Sequence, residues 1–232
     1  MFGRLRSVLA SLAALRRPAP LAERYRYLAR CRGVVHVGAN TGQERDVYAR
    51  LRLPVVWIEA LPEVFRVLQA NIAAHPGQVA ICALLAERDG GTRTFHVASN
   101  NGESSSLFDF KHHREIWPGV TFTRDVVLES MTLDTALVSH GIDPAGYDAL
   151  VLDTQGSELL VLQGAGDLLA RCGYVATEAA DFESYENCAT VASLGDFLLA
   201  RGFRLVRKDA FAEHPSLGGY YDLLFERTSG RQ

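Results

Sequence analysis

One stretch constrains the fold of this chain more than any other: a largely apolar run, a short turn with two glycines, and a second apolar run. Residues 34–37 lead into the sequence GANTG at 38–42, and residues 55–58 lead into Glu59. Short apolar runs separated by a helix-length segment predict two buried, parallel strands of an α/β sheet. Glycine has no Cβ, so a glycine turn lets the backbone approach a ligand closely. The order of these elements therefore predicts a nucleotide-binding pocket.

The glycine spacing and the acid after the second strand restrict the class of ligand that would bind. Gly38 and Gly42 form a G-x-x-x-G pattern without the third glycine of the dinucleotide fingerprint. Glu59 follows the turn by about twenty residues, the distance at which an acid contacts ribose hydroxyls in such folds. Its alternative role is to cap the helix that follows. The pattern favours a nucleoside-bearing cofactor without a pyrophosphate over NAD.

Composition and charge limit the class of protein. A chain of 232 residues with 48% hydrophobic content suits one sizeable domain. The net charge of −3 argues against a dedicated nucleic-acid binder, which carries a basic surface. The four cysteines are widely separated, and Cys82 and Cys172 lie in or beside apolar runs. We therefore expect buried thiols rather than disulfides or metal ligands, in a reduced, cytoplasmic setting.

The N-terminal residues 1–17 form a separate basic segment. They contain arginines, no acid, and apolar residues at helical spacing, which predicts an amphipathic helix. The apolar part is too short to span a bilayer, and a pair of arginines before two prolines is unlike a secretory signal. We expect this helix to pack on the domain or on a partner subunit, and a peripheral membrane contact is the alternative. Residues 1–20 would then be a helix and linker, and residues 21–232 the main domain.

The rest of the chain alternates between strand and helix patterns. Helices are predicted at 21–29, 44–51, 61–74, 132–139, 157–163 and 191–201, and strands at 78–85, 92–97, 124–129, 149–152 and 173–177. Two further strands at 203–208 and 220–226 are joined by a turn that contains proline and glycine. Repeated β-α units that end in a strand pair predict a mostly parallel sheet with an antiparallel strand near one edge.

Acidic residues follow three of the predicted central strands. Glu59, Asp153 and Glu178 each come directly after or at the end of an apolar run. Ligands bind at the carboxyl ends of the strands in such sheets, and burying a lone carboxylate there is costly. We interpret Asp153 and Glu178 as candidate catalytic groups, with capping of the next helix as the alternative for Asp153.

Four motifs occur in order along the chain: HVGANTGQE at 36–44, IEA at 58–60, the serine-rich run at 100–107, and LDTQGSELLVLQGA at 152–165. Taken together, they resemble the FkbM family of S-adenosylmethionine-dependent methyltransferases. The similarity extends over residues 33–226. It implies a class I methyltransferase fold, which is an α/β, Rossmann-like, mostly parallel seven-stranded sheet with a C-terminal antiparallel hairpin and helices on both faces.

The resemblance also implies S-adenosyl-L-methionine as cofactor and assigns its binding residues. The glycine turn would pass beneath the methionine part, Glu59 would hold the ribose, Leu84 would border the adenine, and Asp153 would face the transferred methyl group. The residues expected to bind the cofactor are Gly38, Ala39, Asn40, Thr41, Gly42, Glu59, Ala60, Leu84, Ser105 and Asp153.

Members of this family typically methylate oxygen, often on sugars or on hydroxyls of natural products, so the resemblance implies a sugar or glycan-related acceptor. A hydroxyl is a weak nucleophile and gains from a nearby base. Asp153 is the first candidate for that base. If it instead stabilises the positive charge of the cofactor, Glu178 and His36 are next. A buried, hydrogen-bonded core histidine is the alternative for His36.

Two other functions share parts of this pattern. An NAD-dependent oxidoreductase uses the same β-α-β pocket, but the third glycine and a convincing tyrosine-lysine or histidine-acid pair are missing from the sequence. A non-catalytic, methyltransferase-like module recruited through residues 1–17 is the third possibility.

The segment between the predicted strands at 92–97 and 124–129 carries adjacent histidines and several aromatic residues. His112 and His113 diverge on any regular element and lack an acidic cluster, so no metal is expected. Aromatic side chains here would stack on a sugar ring, cover the site, or simply pack together. They are Phe108, Phe110, Trp117 and Phe122.

Overall fold

A computed structural model describes residues 21–228 of the chain. The strands are β1 (Val34–Val37), β2 (Val55–Glu59), β3 (Gln78–Cys82), β4 (Leu84–Leu85), β5 (Thr92–Ala98), β6 (Phe122–Met131), β7 (Ala149–Leu152), β8 (Tyr174–Ala180), β9 (Phe203–His214) and β10 (Gly218–Arg227). The α-helices are α1 (Arg45–Arg50), α2 (Pro62–Ile72), α3 (His113–Ile116), α4 (Leu133–Ser139), α5 (Glu158–Gln163), α6 (Gly166–Arg171) and α7 (Val191–Leu199). Two 3₁₀ helices span Glu23–Arg30 and Pro144–Gly146.

Within the described residues, the main sheet has seven strands in the order β3-β2-β1-β7-β8-β10-β9. The pairs from β3 through β8 are parallel, and β10 runs antiparallel to both β8 and β9. The predicted fold class is confirmed, including the C-terminal antiparallel hairpin. The strand order reverses between β1 and β7, and ligands of open α/β sheets bind at such a point.

The central strands are buried on both faces, which explains their nearly continuous apolar sequences. Alternate residues of β1 point to opposite sides: Val35 and Val37 enter one hydrophobic cluster, and Val34 enters the other. The first cluster is completed by α4 to α7, and the second by α1, α2 and the Glu23–Arg30 helix. Helices therefore cover both faces of the sheet, as predicted.

The strand predicted at 78–85 is wrong in extent, because the chain changes sheets at Ala83. β3 ends at Cys82, the Ala83 N–H still donates to the Glu59 carbonyl, and β4 then pairs in parallel with β6. β4, β6 and β5 form a separate three-stranded sheet. Cys82 is exposed rather than buried as expected, because β3 is an edge strand of the main sheet.

Several other boundaries differ from the sequence predictions. The helices Gly166–Arg171 and His113–Ile116 were not predicted, and the segment at 21–29 is a 3₁₀ helix. The C-terminal hairpin is longer than predicted because its polar tip continues the pairing as far as His214 and Gly218. Residues 1–20, which carry the predicted amphipathic helix, lie outside the described residues. In residues 21–228 no helix is long and apolar enough to cross a membrane.

The glycine turn and the end of β7 are in close contact. Gly38 has a φ of +76°, and a Cβ placed on it would lie 1.7 Å from the Asp153 carbonyl oxygen. Backbone atoms cannot move aside here without a large energetic cost. The ends of β1 and β7 therefore pack together only with glycine at position 38.

We predict that Gly38→Ala lowers the free energy of unfolding by at least about 2 kcal/mol, because it adds a backbone clash to an unfavourable φ. Urea denaturation measures this. Gly195→Ala is the matched control, since that glycine lies in α7 with no heavy atom within 4 Å of an added Cβ. The control should be neutral or stabilising by up to about 1 kcal/mol. Equal urea midpoints for Gly38→Ala and wild type would contradict the packing described.

Candidate active site

A cleft opens at the carboxyl ends of β1, β2 and β7, and we call it the glycine-turn cleft. Its walls contain the glycine turn, the ends of these strands, β4 and part of the serine-rich loop. Most residues predicted to bind the cofactor line it, as does the candidate catalytic histidine. They are His36, Gly38, Ala39, Asn40, Glu59, Ala60, Leu84, Ser105 and Asp153.

Glu59 connects the glycine turn to the start of α2 through two hydrogen bonds. Its Oε2 accepts a hydrogen bond from the Asn40 N–H and its Oε1 accepts one from the Leu61 N–H, each at 2.9 Å. Asn40 has a φ of +44°, so the turn is held in a left-handed conformation by this acid. Burial raises the pKa of Glu59 to about 7. The carboxylate therefore shapes the turn while it also lines the glycine-turn cleft.

Thr41 and Gly42 lie on the other side of the turn, against α2. The Thr41 carbonyl accepts a hydrogen bond from Asn71 Nδ2 at 2.8 Å. A Cβ on Gly42 would lie 2.8 Å from Leu68 Cδ1. These contacts hold the turn against α2. Direct contact of Thr41 and Gly42 with a ligand stays a prediction.

A second cleft adjoins the first, and we call it the aromatic cleft because Trp117, Tyr185, Phe211 and Tyr220 line it. The segment at 107–121 forms one wall by docking onto the loop after β8. Within that contact, the His113 N–H donates to the Ser184 carbonyl at 2.9 Å. The two clefts share Gln43, Glu103, Asp153 and Gln155.

The aromatic residues predicted at 108–122 divide into two groups. Phe110 stacks on Phe122 with ring centroids 3.8 Å apart and also on His113, which is packing within the segment. Trp117 instead meets the Tyr220 ring edge-on at 4.7 Å and lines the aromatic cleft. Of the uses that the sequence left open, packing is observed for Phe110 and Phe122, and contact of Trp117 with a ligand stays a prediction.

Asp153 stands where the two clefts meet, and its carboxylate is held by a chain of side chains. Its Oδ1 accepts a hydrogen bond from Gln155 Nε2 at 2.6 Å, and Gln155 Oε1 accepts one from the Tyr185 hydroxyl at 2.8 Å. Burial raises the pKa of Asp153, and the nearby charge of Glu158 raises it further. The side chain is thus oriented by neutral donors in a strongly acidic neighbourhood.

Glu158 is a buried acid of this site that the sequence analysis did not single out. It is 2% exposed, and its Oε1 accepts hydrogen bonds from the Thr154 and Gly156 N–H groups at 2.9 and 3.1 Å. Glu158 therefore stabilises the turn at 154–156 before α5, and neither acid caps that helix, since no side chain forms a hydrogen bond at its N-cap residue. The available signal was an acid two residues after Gly156, where a carboxylate can accept hydrogen bonds from free backbone N–H groups of a turn.

Glu178 also lines the aromatic cleft and faces another acid. It lies opposite Asp222 in the antiparallel pairing of β8 with β10. Burial raises the pKa of Glu178, and repulsion by Asp153 and Asp222 adds to the shift. This group therefore holds a proton to higher pH than an ordinary glutamate.

His36 lies behind the glycine-turn cleft in the core. It is 5% exposed, its Nδ1 is 3.0 Å from the Tyr48 hydroxyl, and its ring stacks on Trp57 at 4.8 Å. Burial lowers the pKa of His36, which keeps the ring neutral. The geometry fits the hydrogen-bonded core histidine considered as the alternative, and a catalytic role stays a prediction. Across residues 21–228, no group of three or more metal-ligating side chains is assembled.

Comparison with known proteins identifies the family. A model of the methyltransferase FkbM domain matches residues 36–205. The chain belongs to the FkbM methyltransferase family, which confirms the resemblance carried by the sequence motifs. It is a methyltransferase with S-adenosylmethionine as cofactor.

Individual relatives are distant in sequence. The 2-O-methyltransferase NoeI of Sinorhizobium fredii is 22% identical over 173 residues, which cover 71% of this chain and 70% of that protein. An uncharacterized protein from Listeria monocytogenes serotype 4b is 9% identical, with a TM-score of 0.48 over 90% of this chain and 69% of its own. The magnesium protoporphyrin IX methyltransferase of Synechocystis PCC 6803, solved with bound SAM, is 12% identical, with a TM-score of 0.42 over 84% and 69% of the two chains. The family match, rather than any one relative, therefore carries the assignment.

The raised pKa values of Asp153 and Glu178 predict how stability depends on pH. The folded chain keeps these protons above the ordinary values of 3.8 and 4.5, whereas the unfolded chain releases them there. These two groups therefore make the free energy of unfolding fall as pH rises above those values.

We predict that Glu178→Gln raises the urea midpoint relative to wild type at about pH 8 and that the difference shrinks towards about pH 4.5. Urea denaturation at both pH values measures it. Glu213→Gln, which changes an exposed acid on β9, is the control and should show no such trend. A Glu178→Gln midpoint below wild type at the higher pH would contradict the assigned repulsion.

Proposed function

We propose that this methyltransferase transfers a methyl group to a hydroxyl oxygen of a sugar, a glycan or a natural product. One observation carries the proposal: the Asp153 carboxylate lies at the junction of the glycine-turn cleft and the aromatic cleft. A donor in the first cleft and an acceptor in the second would meet at this side chain. The 2-O-methyltransferase among the relatives supports oxygen as the acceptor atom.

The residues of the glycine-turn cleft fit the chemistry of S-adenosylmethionine. Glu59 offers carboxylate oxygens for ribose hydroxyls, and Leu84, Leu85 and Phe95 offer an apolar wall for adenine. The Thr154 hydroxyl in the same lining is buried and makes no hydrogen bond of standard geometry among the described residues, although the Glu158 side chain is adjacent. A polar ligand would supply a hydrogen-bond partner. The cofactor-binding roles assigned from the sequence are therefore part of the proposal.

Asp153 is proposed to act as the general base. The bound cofactor supplies a methyl group that its sulfonium already activates, so alignment of the acceptor oxygen contributes much of the rate. Asp153 would accept the proton of the acceptor hydroxyl as the methyl group passes from sulfur to that oxygen, and Gln155 holds the carboxylate in position. A base is most effective when its pKa lies near the working pH, and the raised pKa of Asp153 moves it in that direction. If Asp153 instead stabilises the cofactor charge, Glu178 is the next base.

The described cysteines support the proposed cytoplasmic location. Cys31, Cys82, Cys172 and Cys188 are all free thiols. Thiols persist in reducing compartments, whereas secreted proteins tend to form disulfides.

We predict that Glu59→Ala weakens binding of S-adenosylhomocysteine by at least about tenfold, because it removes the proposed ribose acceptor and frees the Asn40 turn. Isothermal titration calorimetry measures the affinity. Glu63→Ala, which removes an acid from the exposed first turn of α2, is the matched control and should leave it unchanged. Wild-type affinity in Glu59→Ala would rule out the assigned role.

We predict that Asp153→Asn lowers the rate of methyl transfer by about 10²–10⁴-fold, as loss of a general base does. Incorporation of labelled methyl groups into a glycan extract measures the rate, and calorimetry with S-adenosylhomocysteine separates a loss of the base from a loss of cofactor binding. Asp196→Asn, on the exposed side of α7, is the control. A wild-type rate in Asp153→Asn would exclude this residue as the base.

A further inference from the structure

The aromatic cleft contains a buried histidine nitrogen without a partner. His113 is 2% exposed, and its Nδ1 makes no hydrogen bond within residues 21–228. Burial lowers the pKa of His113 to about 4, so the ring is neutral. Leaving such a group unpaired is destabilising, and a ligand in the cleft would supply the missing partner.

The hydrogen bonds of His113 indicate which nitrogen carries the proton. Asn100 Nδ2 donates to the Ser104 hydroxyl oxygen at 3.0 Å, and that hydroxyl is 3.1 Å from His113 Nε2. With its oxygen accepting from Asn100, Ser104 is free to donate its own proton to Nε2. In that arrangement the neutral ring carries its hydrogen on Nδ1, a donor that no described residue pairs.

Two aromatic residues continue this surface. Trp117 lies between His113 and Tyr220, with ring centroids 4.9 and 4.7 Å away. The Tyr220 hydroxyl is also buried and lacks a hydrogen bond of standard geometry within the described chain, although the Ser184 side chain is adjacent. An indole face flanked by two neutral polar groups suits a ring with an apolar face and a hydroxyl edge.

Apart from the neutral histidine and tyrosine side chains, the ionisable groups that line the cleft are all carboxyl groups. Glu103, Asp153, Glu158 and Glu178 line it, and none of the described lining residues is lysine or arginine. The two cations of the neighbouring segment are engaged elsewhere: Lys111 pairs with Glu183, and Arg114 lies over the Phe110 ring. A phosphate or carboxylate on the acceptor would therefore meet repulsion without a compensating cation.

We propose that the aromatic cleft is the acceptor subsite and that it selects an uncharged, hydroxyl-rich ring, with His113, Trp117 and Tyr220 as specificity-determining residues. The acceptor is then a neutral sugar ring rather than a sugar phosphate or a uronic acid. This inference rests on the proposed function, because the acceptor hydroxyl must reach Asp153 at the junction of the clefts.

The test measures binding of matched sugars to the full chain by saturation-transfer NMR, with and without S-adenosylhomocysteine. The probes are the methyl glycosides of glucose, glucose 6-phosphate and glucuronic acid. We expect the neutral glycoside to bind at least about tenfold more tightly than either anionic one. Glu103→Gln, which removes an exposed acid from the lining, should lower the ratio of neutral to anionic glycoside affinity.

Variants of Trp117 separate a ring contact from a folding effect. Trp117→Ala should weaken neutral glycoside binding by about tenfold, and Trp117→Phe should restore most of it. S-adenosylhomocysteine affinity should be unchanged in both, since Trp117 lines only the aromatic cleft of the two.

Two results would overturn the inference: equal or tighter binding of the anionic glycosides, or no binding of the neutral glycoside up to about 50 mM. Failure of the proposed function is seen in other measurements: the wild-type protein would not bind S-adenosylhomocysteine or would not transfer a methyl group. Sugar binding is measured without the cofactor as well, so the selectivity is tested in either case.

Discussion

The contact between the Gly38 backbone and the Asp153 carbonyl is the constraint on which the rest of the site depends. It joins the turn after β1 to the end of β7 at the point where the strand order reverses. Because both segments are fixed there, the glycine turn and the Asp153 carboxylate keep one relative position. The two clefts share Asp153 for that reason.

The carboxylates around this contact are stabilised in different ways. Glu59 and Glu158 each accept two backbone hydrogen bonds, so these acids organise loops. Asp153 has the Gln155 amide, and Glu178 faces Asp222, so repulsion and burial keep the pKa of each raised. Acids that organise a loop therefore lie beside the acids that we propose for proton transfer.

The sequence predicted the features that depend on local pattern. The buried strands at 34–37 and 55–59 were found because both of their faces are covered, which leaves an apolar run in the sequence. The change of sheet at Ala83 was not predictable, since β4 pairs with a strand more than forty residues away. The aromatic cleft was missed for the same reason: His113 and Tyr220 line one cleft because the segment at 107–121 docks onto the loop after β8.

A crystal structure of the protein with S-adenosylhomocysteine tests the central claim most directly, namely that donor and acceptor meet at Asp153. We expect the ribose hydroxyls at Glu59, the adenine against Leu84, and the sulfur atom beside Asp153 with its free side towards the aromatic cleft. A ligand bound elsewhere, or a sulfur atom turned away from the aromatic cleft, would contradict the account.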